Sequence, residues 1–180
     1  MIIVKIGLVR HFKVKKEYPK GRRFSADEVT QWFQEYDLAD IEMGSTDLGG
    51  TQWHRCFSSD MSRARRTAEH IYDGTVHAKS ELREIPSPKF KTKLKFPFLG
   101  WAILIRFSWL FSRQTRSDIK NAEKRIAKIL DEIMSSGEEN VLIVSHAALM
   151  IYIRKELIRR GFKGPKLKIP KNGILHVYEN

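Results

Sequence analysis

Cysteine is nearly absent: Cys56 is the only one among 180 residues. No internal disulfide can form, which fits a reducing, cytoplasmic compartment. Long apolar runs are missing as well. The longest, residues 96–111, is broken by Arg106 and falls short of the roughly 20 residues that a spanning helix needs. Residues 1–9 are apolar but lack a basic leading stretch and a small-residue cleavage site, so they read as a core strand and not as a signal peptide. There is no EF-hand loop, no paired-cysteine zinc pattern and no His-Glu-x-x-His, so neither a metal nor another cofactor is expected. Internal repeats and dividing linkers are absent too, and residues 1–180 read as a single domain.

Acidic residues are in the minority, 21 against 33 Lys and Arg, for a net charge of +12. The excess is uneven. Residues 5–23 carry eight basic side chains against Glu17 alone, and residues 154–171 carry eight against Glu156. Residues 83–128 carry twelve against Glu84, Asp118 and Glu123, whereas residues 27–62 hold eight acids and only Arg55. Such a field favours acidic ligands: phosphate esters, nucleic acid or an anionic membrane. Nucleic acid is disfavoured, because no helix-turn-helix or RNA-stacking motif accompanies the charge.

What is present is an alternation of strands and helices. Residues 2–9 form a near-continuous apolar run, as a strand buried on both faces does. Ser25 predicts a cap for a helix reaching Tyr36. Residues 38–53 read as loop and 55–58 as a strand. Ser59 or Asp60 then predicts a cap for a helix to Tyr72, followed by a weak strand at 76–78. Helical spacing is clearest over 117–134, with Gly137 just past its end. A strand at 141–144, a helix over 147–160 and a last strand at 174–178 complete the chain. The pattern predicts a three-layer α/β/α sandwich around a mainly parallel sheet.

Charged residues punctuate that alternation. Arg10 and His11 follow the first strand, His146 follows "VLIVS", and Arg63 lies in the first turn of the helix after "CFSSD". In open α/β sheets ligands bind outside the carboxyl ends of the strands, where helix N-termini add N–H groups. Two imidazoles and two guanidinia at three strand ends predict an anion pocket. Taken singly, each has a plainer reading as a structural or surface residue. His54, His70, His77 and His176 keep that reading, and Trp101 and Trp109 read as buried or wall residues.

"LVRHF", "SSDMSRARRTA", "LRE" and "VLIVSHAAL" resemble, in order and spacing, the motifs of the histidine phosphatase superfamily with its phosphoglycerate-mutase-like fold. The resemblance implies hydrolysis of a small phosphomonoester without metal. It implies His11 as the nucleophile that takes the phosphoryl group, with Arg10, Arg63 and His146 around the phosphate. It implies Glu84 as the proton donor, although Glu81 stands close by. A phosphomutase of the same family, and a non-catalytic phosphate-binding module, are the alternatives. The chain departs from the family at Phe12, Val14, Glu17 and Ala147, and at "IPSPKFK" after the acid. Phe12 either narrows the pocket or turns away. Glu17 brings a negative charge close to the phosphate site unless a basic neighbour such as Lys15 or Lys16 offsets it.

Residues 86–116 are the most unusual stretch, aromatic and basic together. Three readings are open: a core-packed subdomain with snorkelling lysines, a lid-like insertion that sets specificity, or a segment at 96–111 making peripheral contact with anionic lipid. The lid is favoured. Oligomeric state is not legible.

Overall fold

The computed structural model describes residues 3–135, 137 and 140–180, so Met1 and Ile2 of the predicted first strand lie outside the described residues. The elements are β1 (Lys5–Arg10), β2 (Arg23–Phe24), α1 (Ala26–Leu38), β3 (Arg55–Ser59), α2 (Ser62–Ile71), β4 (Val76–Lys79), β5 (Phe96–Pro97), α3 (Phe98–Phe111), α4 (Arg113–Ser135), β6 (Asn140–Ser145), α5 (Ala147–Arg159) and β7 (Leu175–Glu179). A five-stranded sheet runs β4-β3-β6-β1-β7. β1 and β3 both pair in parallel with β6, β4 is parallel to β3, and β7 is antiparallel to β1.

Both faces of this sheet are covered, as the apolar run of β1 requires. Ile6 and Leu8 join Phe57 and Ile143 against Ile126, Ile129 and Ile153 of α4 and α5. Val9, Cys56 and Val144 face the other way, against Ala64 and Ala68 of α2 and Trp53. Trp53 lies so close on β1 that a Cβ at Gly7 would meet its ring at 2.6 Å; only glycine fits there.

Two helix starts differ from the sequence expectation. The N-cap position of α2 is Met61, not Ser59 or Asp60, and no side chain caps it. The Ser59 hydroxyl accepts from Met61 N instead, and the Asp60 carboxylate takes a two-point ion pair from Arg83. α4 begins at Arg113, four residues before the expected Ser117, because Ser112 Oγ accepts from Thr115 N and offers an earlier cap. α1 starts as expected: Ser25 Oγ accepts from Glu28 N while the Glu28 carboxylate accepts from Ser25 N.

Residues 85–116 leave the main sheet. β5 pairs with β2 through Phe24–Phe96 and Arg23–Pro97, and Trp101 Nε1 donates to Phe24 O at 2.8 Å. Trp101 packs with Phe24, Ala26 and Val29 in a small separate cluster. It is the one residue of α3 that is buried. Among the described residues no helix is long and apolar enough to cross a membrane.

Candidate active site

β1, β3 and β6 end side by side, and their last residues build the site. His11 N donates to Ser145 O at the end of β6, and Ser145 Oγ donates to Leu82 O at 2.9 Å. These bonds tie the segment that carries Glu84 to the strand ends that carry His11 and His146. Asn172 Nδ2 donates to His11 O at 2.7 Å, and Gly173 N donates to Arg10 O at 2.9 Å. Phe12 N donates to Thr67 Oγ1, which donates in turn to Arg63 O. The backbone on both sides of His11 is therefore fixed by hydrogen bonds from three segments.

Phe12 turns away from the pocket. Its ring packs with Val14 and Ile41, edge-on to His70, and over Gly173. Gly173 has φ of +68° and its Cβ would touch the Phe12 ring at 3.0 Å, so glycine is needed on both counts. The departure at residue 12 supports the loop and leaves the pocket its width. Lys15 and Lys16 do not offset Glu17; they pair with Asp40 and Glu35.

His11 is 3% exposed and His146 is fully buried, with ring centroids 5.2 Å apart. His11 Nδ1 lies 2.6 Å from Phe12 O. A carbonyl only accepts, so Nδ1 carries the proton and Nε2 keeps its lone pair. Burial first, and then the charges of Arg63 and Arg10, hold the His11 pKa down to about 3 against the pull of that carbonyl. Burial and the same arginines keep His146 well below the ordinary histidine range. Both rings are neutral at pH 7.

The site holds four buried nitrogens with no hydrogen-bond partner among the described residues: Nδ1 and Nε2 of His146, Nε of Arg10 and Nε of Arg63. Buried polar groups are normally satisfied, and a cluster of unsatisfied nitrogens, three of them N–H donors, calls for an explanation. An anion with several acceptor oxygens supplies one. Arg10 is aimed by Pro170 O, which accepts from its Nη1 at 3.0 Å. Arg63 is buried and reaches the Asp37 carboxylate at 2.7 Å, with Tyr36 under its guanidinium. Burial pushes the Tyr36 phenol up against the pull of Arg10 and Arg63, so its proton stays.

Glu84 sits partly buried at the start of α5. Its carboxylate accepts from Ala148 N, Leu149 N and Ile85 N. Those three bonds favour the anion, but burial outweighs them and the pKa is raised. Glu81 points elsewhere, onto Lys128. Glu84 thus takes two of the amides that open α5, Ala148 N and Leu149 N, and at the start of α2 Met61 N donates to Ser59 Oγ and Ala64 N to Met61 O.

Of the residues singled out by sequence, Arg10, His11, Arg63, Glu84 and His146 converge. Asp37, Tyr36, Thr67, Ser145, Pro170 and Asn172 join them unannounced. Thr67 stands four after Arg63 on α2, a spacing that puts both on one helix face. The others carry no signal in the sequence. No three His, Cys, Asp or Glu side chains converge to hold a metal among the described residues.

The family model for the histidine phosphatase superfamily (branch 1) matches residues 40–179, a stretch that includes Arg63, Glu84 and His146 and starts after His11. Among solved structures, phosphoglycerate mutase from Bacillus anthracis is similar over 99% of this chain and 88% of its own, with TM-score 0.61 and 18% identity. A mycobacterial glucosyl-3-phosphoglycerate phosphatase covers 87% of this chain and 80% of its own, with TM-score 0.52 and 15% identity. An α-ribazole phosphatase from Shigella flexneri covers 86% and 80%, with TM-score 0.52 and 16% identity. At such identities the structural likeness speaks for the fold alone. No curated protein matches by sequence. With the family match spanning most of the chain, and the fold shared with these structures, this chain belongs to the histidine phosphatase superfamily, branch 1.

Proposed function

We propose that this protein hydrolyses a phosphomonoester through a phosphohistidine on His11, without a metal ion. The observation that carries the reading is the cluster of unpartnered buried nitrogens around a neutral His11 whose Nε2 is free to attack. Arg10, Arg63 and His146 hold the phosphate oxygens and neutralise charge at the equatorial positions. His11 Nε2 forms a bond to phosphorus as the ester P–O bond breaks. Glu84, its pKa raised by burial, gives its proton to the departing alkoxide. Water then attacks the phosphohistidine, Glu84 takes the proton from that water, and the N–P bond breaks to release phosphate and restore the neutral ring.

Hydrolysis of an aryl phosphate in the presence of a chelator tests this. Quenching with alkaline detergent during turnover should leave phosphate on His11 that survives base and is lost in acid; acid-stable phosphate on another residue refutes the route. The same assay tests the alternative of a module that holds phosphate without turning it over, since the module binds phosphate and turns over nothing. Mutase chemistry would show as phosphate transfer to an added alcohol at the expense of release to water.

A further inference from the structure

α3 is apolar around its whole circumference apart from Gly100, Arg106 and Ser108. A helix of that kind normally lies in a protein core or spans a membrane. α3 does neither: at 14 residues it is about 21 Å long, too short to span, and only Trp101 is buried.

Its two sides meet different surroundings. The inner side, through Trp101, Ala102, Ile105 and Trp109, roofs a chamber of about 370 Å³. Val29 and Phe33 of α1 and Ile151 of α5 supply the walls. The floor is Glu84, Ala147 and Ala148, immediately after His146, together with Pro170, whose carbonyl aims Arg10. The chamber therefore adjoins the phosphate pocket through Glu84 and Pro170, on the side where an ester's leaving group would lie, and its lining is mostly aliphatic and aromatic, with Arg106 and Lys168 besides.

The outer side faces solvent. Leu99 is 73% exposed, Leu110 64% and Phe111 75%, and Ile103 and Phe107 are at least half exposed. Ile169, 71% exposed, extends the patch across the chamber rim. Exposed apolar surface of this extent marks an interaction surface. The charge around it is of one sign. Residues 86–116 contain seven Lys and Arg and no acid, and residues 164–171 add Lys166, Lys168 and Lys171 with none. Lys89, Lys91, Lys93, Lys95, Arg106 and Lys168 are exposed and make no ion pair among the described residues. Exposed aromatics ringed by cations complement a surface with anionic headgroups over hydrocarbon.

We infer that this protein takes an amphiphilic phosphate monoester from an anionic lipid surface: the outer side of α3 rests on that surface, and the chamber beneath α3 holds the substrate's apolar tail while the phosphate sits at His11. The inference rests on the proposed reading of the phosphate pocket for its chemistry, but the chamber and the patch are independent of turnover.

Two measurements on the full chain test it. The first is a series of alkyl monophosphates from ethyl to decyl, kept monomeric. kcat/KM should rise about fourfold with each methylene that enters the chamber, then level off when the chamber is full. Ala102→Trp, which fills the roof, should flatten the series. Decyl phosphonate, bound but not hydrolysed, should bind far more tightly than ethyl phosphonate by calorimetry. If no ester is hydrolysed at all, the catalytic reading falls while the phosphonate comparison still decides the inference. Equal affinity along the phosphonate series overturns it.

The second is sedimentation with vesicles. The parent should pellet with phosphatidylcholine vesicles containing phosphatidylglycerol, much less with phosphatidylcholine alone, and release with added salt. Phe107→Glu with Phe111→Glu should stay in the supernatant, and the milder Phe107→Ser with Phe111→Ser serves if the charged pair fails to fold. A parent that ignores anionic vesicles overturns the inference. So does one that self-associates through α3 instead, which would give that face to a second copy of the chain.

Discussion

The pocket at the strand ends and the segment at 85–116 obey opposite rules. Around His11 the backbone is held by Ser145, Thr67, Asn172 and Gly173, the two imidazoles are buried and neutral, and Phe12 lends its bulk to the support. Around α3 little is buried, apolar side chains face water, and two residues of β5 make the only strand pairing to β2. The first region spends its interactions on holding a few atoms in place, which phosphoryl transfer requires. The second leaves its surface unspent, as a binding region does. On the proposed reading, chemistry and choice of substrate occupy separate parts of the chain.

The sharpest way to break that division is His11→Ala. Turnover should fall more than about 1000-fold on every ester, while the thermal midpoint stays close to the parent's. Activity within tenfold of the parent removes His11 as the nucleophile. Glu84→Gln comes next. Release of an alkyl alcohol should slow about 100-fold, and release of a good aryl leaving group far less. Equal losses on both would move the proton donor elsewhere.

A third test is acid stability. His11 is held at about 3 in the folded chain against an ordinary value of 6.5, so the unfolded chain takes up the proton first as pH falls. Its stabilising contribution is complete above pH 6.5 and is lost as pH drops toward 3, at about 1.4 kcal/mol per pH unit. His146 and His176, also lowered by burial, act in the same direction. Glu28 and Glu156, lowered to about 2, join only below their ordinary 4.5. Denaturant midpoints read between pH 7 and 5 should therefore fall, and His11→Asn should flatten the fall. An unchanged slope would show that the ring is not held neutral. The smallest effect belongs to Asp37→Asn. Removing a half-exposed carboxylate from Arg63 should tighten inhibition by inorganic phosphate about twofold to fivefold, the worth of a partly exposed ion pair. No change would mean that Asp37 does not compete with the anion.

The contrast also explains what could be read in advance. β1, β6 and the α4 face announce themselves by periodicity, and the residues that end the strands follow from chain order. Arg10, His11, Arg63 and His146 could be grouped because parallel strands bring their carboxyl ends together. Contacts that depend on long separations had no local signal. Glu84 reaches Ala148 and Leu149 across 64 and 65 positions, and Asp37 reaches Arg63 across 26. The pairing of β2 with β5 involves two residues from each strand, too few to show alternation. The expected cap at Ser59 or Asp60 failed for the same reason: Asp60 is taken by Arg83, 23 residues away. α3 offered composition without period, since a helix apolar on both sides has no polar stripe to read.

α1 touches both regions. Val29 and Phe33 wall the chamber, and Tyr36 and Asp37, one turn further along the same rod, meet Arg63. The pairing of Phe24 with Phe96, just before its cap, fastens that rod to the start of α3. One short helix therefore supplies side chains to both ends of the space a ligand would fill, so the distance from the hollow to the guanidinium is set by the pitch of α1.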